Sequence, residues 1–273
     1  MDEKTIQEKI QNGRNFIRAF NEEYEGYETD QELKKPQPPL VKEPMGTEMI
    51  SLPMNFEDLN LENDFIKIIG TRKSHRVYTP EKMNLLQLSF LLWSAQGIRE
   101  IRGKAYATLR TVPSGGARHP FECYLAVLNM EDLENGLYHY LPMKHALEKL
   151  PCEVDLKQFV SDSLCGQAWA AKAGAVFYFS AVFYRAEWRY GIYAHAPMLM
   201  DAGHVTENLY LACTAAGLGG CAIAAVDSDV SDQAFRLDGK EEAVFYAMPV
   251  GSVSAADEKA EQDFYAFVKE QGL

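Results

Sequence analysis

The chain has 273 residues, of which 47% are hydrophobic and 24% charged, so it is long enough for one large domain or two small ones and apolar enough to build a core. Asp and Glu (39) outnumber Lys and Arg (27), and the formal charge of −12 argues against general nucleic-acid binding, which depends on cations that neutralise phosphates. The sequence has no run of about 18 uncharged apolar residues, and its charged beginning lacks the apolar core of a signal peptide.

Cysteine and histidine are spaced in ways that do not favour a metal centre. The five cysteines are scattered and form no CxxC pair, which is typical of thiols in a reducing compartment. The six histidines form no HxxxH or HExxH pair. We therefore expect a cytoplasmic protein with no nucleic-acid partner, no membrane partner and no metal site.

Residues 1–55 are predicted to form an N-terminal helix and a Pro-rich extended arm that lies on the body of the protein. The polar segment "EKTIQEKIQNGRNFIRAF" has amphipathic spacing. The prolines of "LKKPQPPLVKEPMGTEMISLP" cannot sit inside a helix or donate backbone hydrogen bonds. Residues 56–273 then form the main domain.

Helices and strands follow one another irregularly in the main domain. "LENDFIKIIG" predicts a short helix closed by Gly70, "NLLQLSFLLWSAQG" an apolar helix that ends at Gly97, and "SDQAFRL" a further short helix. Strands are predicted where aromatic and β-branched residues concentrate, in "FECYLAVL", "GLYHYL", "GAVFYFSAVF", "CAIAAV" and "EAVFYAMPVG", while "HALEKL" either extends a hairpin or starts another strand. The continuous apolar run "GAVFYFSAVF" is typical of a central strand covered on both faces. Because strict βαβ alternation is missing, we expect an α+β fold.

"HAPMLMDAGHVTENLYLACTAAGLGG" predicts a long helix that ends in glycines. Its apolar residues, among them Met200, Leu209 and Cys213, cover more than one face, whereas a surface helix of a monomer usually has one apolar stripe. The pattern favours a helix that is central or at a subunit interface, and an ordinary core helix explains it equally well.

"GTRKSHRVYTP" contains the densest group of cations in the chain. Arg72, Lys73 and Arg76 surround the hydroxyl of Ser74, directly after a predicted helix. Guanidinium donors plus a hydroxyl suit a phosphate monoester. The same cations could instead complement the dipole at the end of the helix.

"RTVPSGGARHP" places two adjacent glycines between cations, directly before a strand. Gly115 and Gly116 allow positive φ and let backbone N–H groups approach a flat or anionic ligand, although a tight turn is the simpler explanation. The loop is not of the GxxxxGK[ST] form, and Ser114 has no GxSxG context. "GLGG" at 217–220 is a weaker signal for a second stretch of bare backbone.

Together and in this order, these features resemble the nitroreductase superfamily of FMN enzymes. "RKSHRVY" is similar to the opening Arg-Arg-Ser-x-Arg-x-(Tyr/Phe) motif, and "LSFLLWSAQGI" with "RTVPSGGARHPFECYLAV" is similar to the branch of SagB-type azoline dehydrogenases. The resemblance extends from about residue 60 to residue 252. It implies a homodimeric, three-layer α+β fold with a central mixed, mostly antiparallel sheet flanked by helices.

The resemblance also implies FMN at the subunit interface. The residues that match the family's phosphate and ribityl contacts are Arg72, Lys73, Ser74 and Arg76. The residues that match the loop reaching the flavin from the partner subunit are Pro113, Ser114, Gly115 and Gly116. The residues that match the backbone near the central flavin ring are Gly219 and Gly220.

Two departures from the family pattern bear on the chemistry. Many relatives bind the phosphate with cations just after the final strand, but "PVGSVSAADEK" offers only Ser252 nearby, which leaves more of that charge to the cations at 72–76. Azoline-oxidising relatives remove a proton with an adjacent Lys-Tyr pair, and Arg189 and Tyr190 occupy the matching place. Arginine stays protonated at working pH, so Tyr190 is the member of the pair that can act as a base.

The activity implied by the resemblance is FMN-dependent hydride transfer through flavin N5. NADH or NADPH is the expected electron donor, and a nitroaromatic, a quinone or a similar small conjugated compound is the expected acceptor. One alternative is a SagB-type dehydrogenase that oxidises thiazoline or oxazoline rings in a modified peptide, with Arg189 and Tyr190 as its catalytic residues. Another is a non-catalytic module that binds a flavin or a tetrapyrrole.

Overall fold

The computed structural model describes residues 2–18, 24 and 26–271. Within these residues the α-helices are Glu3–Ile17 (α1), Phe65–Thr71 (α2), Leu85–Gln96 (α3), Leu156–Ser163 (α4), Phe183–Tyr190 (α5), His195–Ala215 (α6), Ser228–Phe235 (α7) and Ala255–Glu270 (α8). The strands are Met49–Ser51 (β1), Ile98–Arg102 (β2), Ala107–Arg110 (β3), Phe121–Val127 (β4), Gly136–Leu141 (β5), Ala146–Leu150 (β6), Ala175–Val182 (β7), Leu218–Gly220 (β8) and Glu242–Ser252 (β9).

Seven of these strands form one central sheet in the order β1-β6-β5-β4-β7-β9-β8, and β2 and β3 form a separate hairpin. Neighbouring strands of the sheet pair antiparallel. The described residues pair in parallel only at isolated bridges, such as that of Ser74 with Gly220. The predicted α+β class and mostly antiparallel sheet are confirmed.

The central strand β7 divides the interior into two hydrophobic cores. Phe177 and Phe179 point into one core with side chains of α3 and α6, whereas Val176 and Tyr178 point into the other with side chains of α4 and α7. Successive side chains of a strand alternate between its faces, so a strand covered by helices on both sides is apolar throughout. Both the three-layer prediction and the prediction of a buried central strand are confirmed.

Local signals account for several helix boundaries. Helix α3 begins after Asn84, which forms a capping box with Gln87 in the first turn, and ends before Gly97, as predicted. Helix α2 begins later than predicted, because Asp64 caps it by accepting from the backbone N–H groups of Ile66 and Lys67. Gly70 lies inside this helix and does not close it as predicted.

One strand prediction is wrong. "CAIAAV" at 221–226 forms no strand beyond a single bridge between Ile223 and Ala247, and β8 lies just before it. The pairing with β9 runs through residues 218–220, where Gly219 lies opposite Gly251. A Cβ at Gly220 would lie 2.4 Å from Met248 Cε and 3.2 Å from Pro249 O, so glycine suits this close approach of the two strands.

The second half of the predicted arm is attached to the sheet. Strand β1 pairs with β6, with Ile50 opposite Leu147. Lys42 Nζ forms an ion pair with Glu242 at 2.6 Å. None of the described residues of α1 is buried. The arm therefore supplies an edge strand to the main domain.

Helix α6 is buried on one side and exposes two large apolar side chains on the other. Val205 and Leu209 are buried in the core shared with α3, while Leu199 and Met200 are 54% and 62% exposed.

None of the described helices combines the length and apolarity needed to cross a bilayer.

Candidate functional site

The basic motif at residues 72–76 runs beside β8. Ser74 bridges Gly220, and His75 N donates to Gly220 O at 2.9 Å. A Cβ at Gly219 would lie 2.5 Å from His75 Cγ, so glycine is required there for the packing of the protein itself. The structure thus brings the basic motif and the glycine pair together.

Tyr210, in the second half of α6, anchors this arrangement. Its Oη lies 3.0 Å from Ser74 Oγ and accepts from Ala222 N at 2.7 Å. The guanidinium carbon of Arg72 lies 5.2 Å from the centre of the Tyr210 ring. Burial raises the pKa of Tyr210, although its hydrogen bonds act in the opposite direction, so it is a neutral phenol at neutral pH.

The cations of the motif differ in exposure. Arg72 and Lys73 are half-buried and Arg76 is exposed. Among the described residues, Arg72 forms no ion pair with a carboxylate. We call Arg72, Lys73, Ser74, Arg76, Tyr210, Gly219 and Gly220 the basic cluster.

The loop at residues 113–116 is held by Asp201, from the first half of α6. Ser114 Oγ donates to Asp201 Oδ2 at 2.6 Å, and Gly115 N donates to both carboxylate oxygens at 3.0 and 3.1 Å. These donors are therefore engaged within the chain, as they would be in the tight turn that the sequence also allowed. Pro113 is exposed at the start of the loop.

Arg189 and Tyr190, the last residues of α5, pack against the same loop. Gly116 has φ +56°, and a Cβ on it would lie 2.4 Å from Arg189 Nε and 2.8 Å from Tyr190 Oη. At Gly115 a Cβ would lie 3.5 Å from the Tyr190 ring, an ordinary contact. We call Pro113, Ser114, Gly115, Gly116, Arg189, Tyr190 and Asp201 the loop cluster.

The two clusters lie on opposite sides of α6. Asp201 and Tyr210 are nine residues apart in one helix. At about 1.5 Å and about 100° per residue, they are separated by roughly 13 Å along the axis and by half a turn around it. Within one chain, the residues predicted to share a flavin therefore form two separate groups.

Residues 69–252 match the sequence profile described as "Nitroreductase family". The chain belongs to the nitroreductase family.

Individual members of the family show how far the likeness extends. A protein named as a nitroreductase, MJ1384 of Methanocaldococcus jannaschii, is 31% identical over 208 residues, which are 76% of this chain and 98% of that protein. The microcin B17-processing protein McbC of Escherichia coli is 32% identical over 115 residues, 40% of this chain and 42% of McbC. A crystal structure of a Ralstonia eutropha protein, also named as a nitroreductase, has a TM-score of 0.62 at 26% identity and matches 81% of this chain and 95% of that one.

The basic cluster of this nitroreductase-family chain fits the phosphate end of FMN. Arg72 offers a guanidinium and Ser74 a hydroxyl beside it, and Lys73 adds a second charge next to them. Such a donor set suits a phosphate monoester. The six residues directly after β9 add no cation, because residues 253–258 read "VSAADE", and Ser252 at the end of the strand is buried.

Two residues of the site were not identified from the sequence. Asp201 and Tyr210 each hold one cluster, yet in the sequence of α6 they stand among other polar residues such as His204 and Glu207. For Asp201 the available signal was an acid directly after the apolar run "PMLM", because a carboxylate in such surroundings is buried only with partners. The described residues contain no group of His, Cys, Asp and Glu that could hold a metal ion.

Proposed function

We propose that this chain is an FMN-dependent oxidoreductase that takes electrons from NADH or NADPH and reduces a nitroaromatic, a quinone or a similar small conjugated acceptor. When bound, FMN supplies hydride transfer through its N5. The observation that carries the proposal is the meeting of Arg72, Ser74 and Gly220 beside Tyr210, in a chain of the nitroreductase family.

The basic cluster binds and orients the cofactor in this proposal. Arg72 and Lys73 neutralise the phosphate, and Ser74 Oγ donates to it while Tyr210 fixes the serine. With no cation in residues 249–258, these two side chains and Arg76 supply the positive charge of the site.

The loop cluster comes from the partner subunit in this proposal. The two clusters of one chain lie on opposite sides of α6, so a complete site takes one cluster from each of two copies. The exposed apolar side chains of α6, Leu199 and Met200, support association through this helix. Sedimentation of the purified protein at decreasing concentration tests the dimer, because dissociation should release the flavin at the same concentration.

Arg189 remains a cation at the edge of the site. Burial lowers its pKa, but the phenols of Tyr190 and Tyr106 more than compensate, and the net shift is upward. A fixed positive charge stabilises an acceptor that gains electrons.

All five cysteines are free, which supports placing this reaction in the cytoplasm.

A second candidate function is the oxidation of thiazoline or oxazoline rings in a modified peptide. It is favoured by the likeness to McbC, whose name assigns it to processing of microcin B17, and by the contact of Tyr190 with Gly115 and Gly116. In that reaction Tyr190 accepts the proton removed from the ring, because the guanidinium of Arg189 is already protonated and cannot accept one.

The deciding experiment is anaerobic reduction of the purified protein. We expect a yellow protein with about one FMN per chain, bleached by NADH or NADPH and recoloured by a quinone or nitroaromatic. A protein that ignores both nicotinamides but oxidises a thiazoline peptide with oxygen would establish the second function. A colourless protein that takes up no added FMN would refute both.

A further inference from the structure

Residues 26–37 of the N-terminal arm, here called the strap, run along α5. Tyr184 Oη, in the first turn of that helix, donates to Asp30 Oδ2 at 2.8 Å. Gln31 N donates to Trp188 O at 2.8 Å near its end. The strap is therefore bound to both ends of the helix that carries the Arg-Tyr pair.

The strap also fixes the end of α5 and the chain just beyond it. Tyr27 Oη accepts from Ile192 N at 3.1 Å, and Trp188 Nε1 donates to Lys35 O at 3.0 Å. Gly191 has φ +53°, and a Cβ there would lie 1.7 Å from Tyr27 Oη. Glycine at 191 is thus required for the strap to dock.

One side chain of the strap reaches the guanidinium of Arg189. Arg189 Nη1 donates to Gln31 Oε1 at 3.3 Å and to Tyr106 Oη at 2.9 Å. Gln31 Nε2 donates to the same Tyr106 Oη at 3.0 Å. Gln31, Tyr106 and Arg189 thus form a closed triangle of hydrogen bonds.

Arg118 connects this triangle to the glycine loop. Its Nε donates to Gly116 O at 3.0 Å, and its Nη2 donates to Tyr106 O at 2.9 Å. Its guanidinium carbon lies 4.9 Å from the centre of the Tyr106 ring and 5.4 Å from that of Trp188. The strap, the β2–β3 hairpin, α5 and the loop are therefore joined by direct contacts.

We propose that Gln31 is a positioning residue that sets the direction of the Arg189 guanidinium, so that the strap determines how the site binds its electron acceptor. Arginine has many rotamers, and each acceptor that holds its guanidinium removes some of them. Gln31 acts on the reaction only through Arg189. This inference rests on the proposed function, in which Arg189 lies at the edge of the substrate site.

The first test is chemical and needs neither flavin nor turnover. Phenylglyoxal modification of Arg189, followed by mass spectrometry of the peptides that span it, should be about three- to tenfold faster in Gln31→Ala, the size of one lost hydrogen bond. Gln37→Ala is the matched control, since Gln37 Nε2 donates at 3.0 Å to the backbone oxygen of Tyr106 and not to Arg189 or the phenol. Gln31→Glu keeps an acceptor for Arg189 and should restore the wild-type rate.

The second test is kinetic. Gln31→Ala should raise the KM for the acceptor about three- to tenfold with little change in kcat, whereas Gln37→Ala should leave both unchanged. In an Arg189→Ala background, Gln31→Ala should have no further effect on KM. A KM effect that persists in that background would overturn the proposal.

The two tests separate failure of this inference from failure of the proposed function. Equal labelling of Arg189 in wild type and Gln31→Ala overturns the role of Gln31, whatever the enzyme catalyses. A wild type that binds no FMN and turns over no acceptor refutes the proposed function, and faster labelling in Gln31→Ala alone would then still establish that the strap orients Arg189.

Discussion

His139 Nδ1 lies 2.6 Å from Glu148 Oε1, and neither side chain is exposed to solvent. His139 Nε2 lies 3.1 Å from Glu122 Oε2 on its other side. Burial lowers the pKa of His139, but the hydrogen bonds to the two glutamates outweigh it and the net shift is upward. Glu148 Oε2 also accepts from Met45 N and Gly46 N at 2.8 Å, so this buried ion pair holds the arm on the sheet.

The first prediction is that stability decreases as pH rises through the raised pKa of His139. The folded state holds this proton more tightly than the unfolded state, so the stabilisation is complete below the ordinary histidine pKa of 6.5 and is lost above the folded pKa. Urea denaturation at about pH 6 and about pH 9 measures the change. His139→Gln should remove this part of the pH dependence.

Other groups also change stability as pH falls, so the difference between wild type and His139→Gln is the test of His139. Burial raises the pKa of Glu122, but the opposing effect of Arg185 and His139 is larger and the net shift is downward. The stabilisation that the ionised Glu122 provides is therefore lost as pH falls below the ordinary carboxyl pKa of 4.5. Burial lowers the pKa of His119 to about 3, so protonation of the unfolded state reduces stability as pH falls below 6.5. An identical alkaline slope in wild type and His139→Gln would contradict the first prediction.

The second prediction concerns the carboxylate that holds the glycine loop. Asp201→Ala removes the acceptor of Ser114 Oγ and Gly115 N and should lower the free energy of unfolding by about 2–3 kcal/mol. Asp201→Asn keeps one acceptor oxygen and should lose about half as much. Urea denaturation compares the two variants, and an alanine variant as stable as the asparagine variant would argue against the role of these hydrogen bonds.

The third prediction concerns cofactor affinity. Arg72→Ala should weaken FMN binding about ten- to a hundredfold, because it removes a charge-assisted hydrogen bond to the phosphate. Arg76→Ala should weaken it in the same direction. Arg102→Ala, on the exposed strand β2, is the matched control. Fluorescence titration of the apoprotein measures the Kd, and equal affinities in Arg72→Ala and Arg102→Ala would exclude Arg72 from the phosphate site.

The fourth prediction separates backbone strain from contact with Arg189. Gly116→Ala and Gly166→Ala both place alanine at positive φ and should each cost about 1–2 kcal/mol of stability. Only Gly116→Ala also displaces Arg189, because nothing lies within 4 Å of a Cβ at Gly166. The KM for the acceptor should therefore rise in Gly116→Ala alone, and a similar rise in both variants would indicate a general effect of strain.

The fifth prediction distinguishes the two candidate reactions. Tyr190→Phe should abolish thiazoline oxidation, because it removes the only member of the pair that can accept a proton. Hydride transfer from a nicotinamide needs no base, so reduction of a quinone or nitroaromatic should be nearly unchanged in the same variant. Steady-state rates with both substrates decide, and loss of both activities would show that Tyr190 has a role common to the two reactions.

The elements that the sequence predicted carry their signals locally. Asn84, Gln87 and Gly97 mark the ends of α3, and the apolar run of β7 marks a strand covered on both faces. Helix α5 was not predicted because it follows β7 directly and has no side-chain cap. The β2–β3 hairpin was missed because β2 has little apolar alternation and is mostly exposed.

The candidate site was predictable as a set of motifs but not as an arrangement. Ser74, Gly116 and Gly220 lie in recognisable short patterns, whereas their partners Tyr210, Arg189 and Asp201 are brought to them by the fold across long stretches of chain. Sequence spacing cannot show on which side of a helix a distant loop will pack. The separation of the two clusters by α6 is therefore a finding of the structure.

Both edges of the central sheet are closed by strands of only three residues, β1 and β8. A long, flat edge strand would present unpaired N–H and C=O groups to any other chain, and short edges limit such pairing and the aggregation that follows from it. A second copy therefore has little edge on which to continue the sheet. In the proposed dimer, association would therefore fall to the helical faces, and α6, which lies between the two clusters, is the face that the proposal uses.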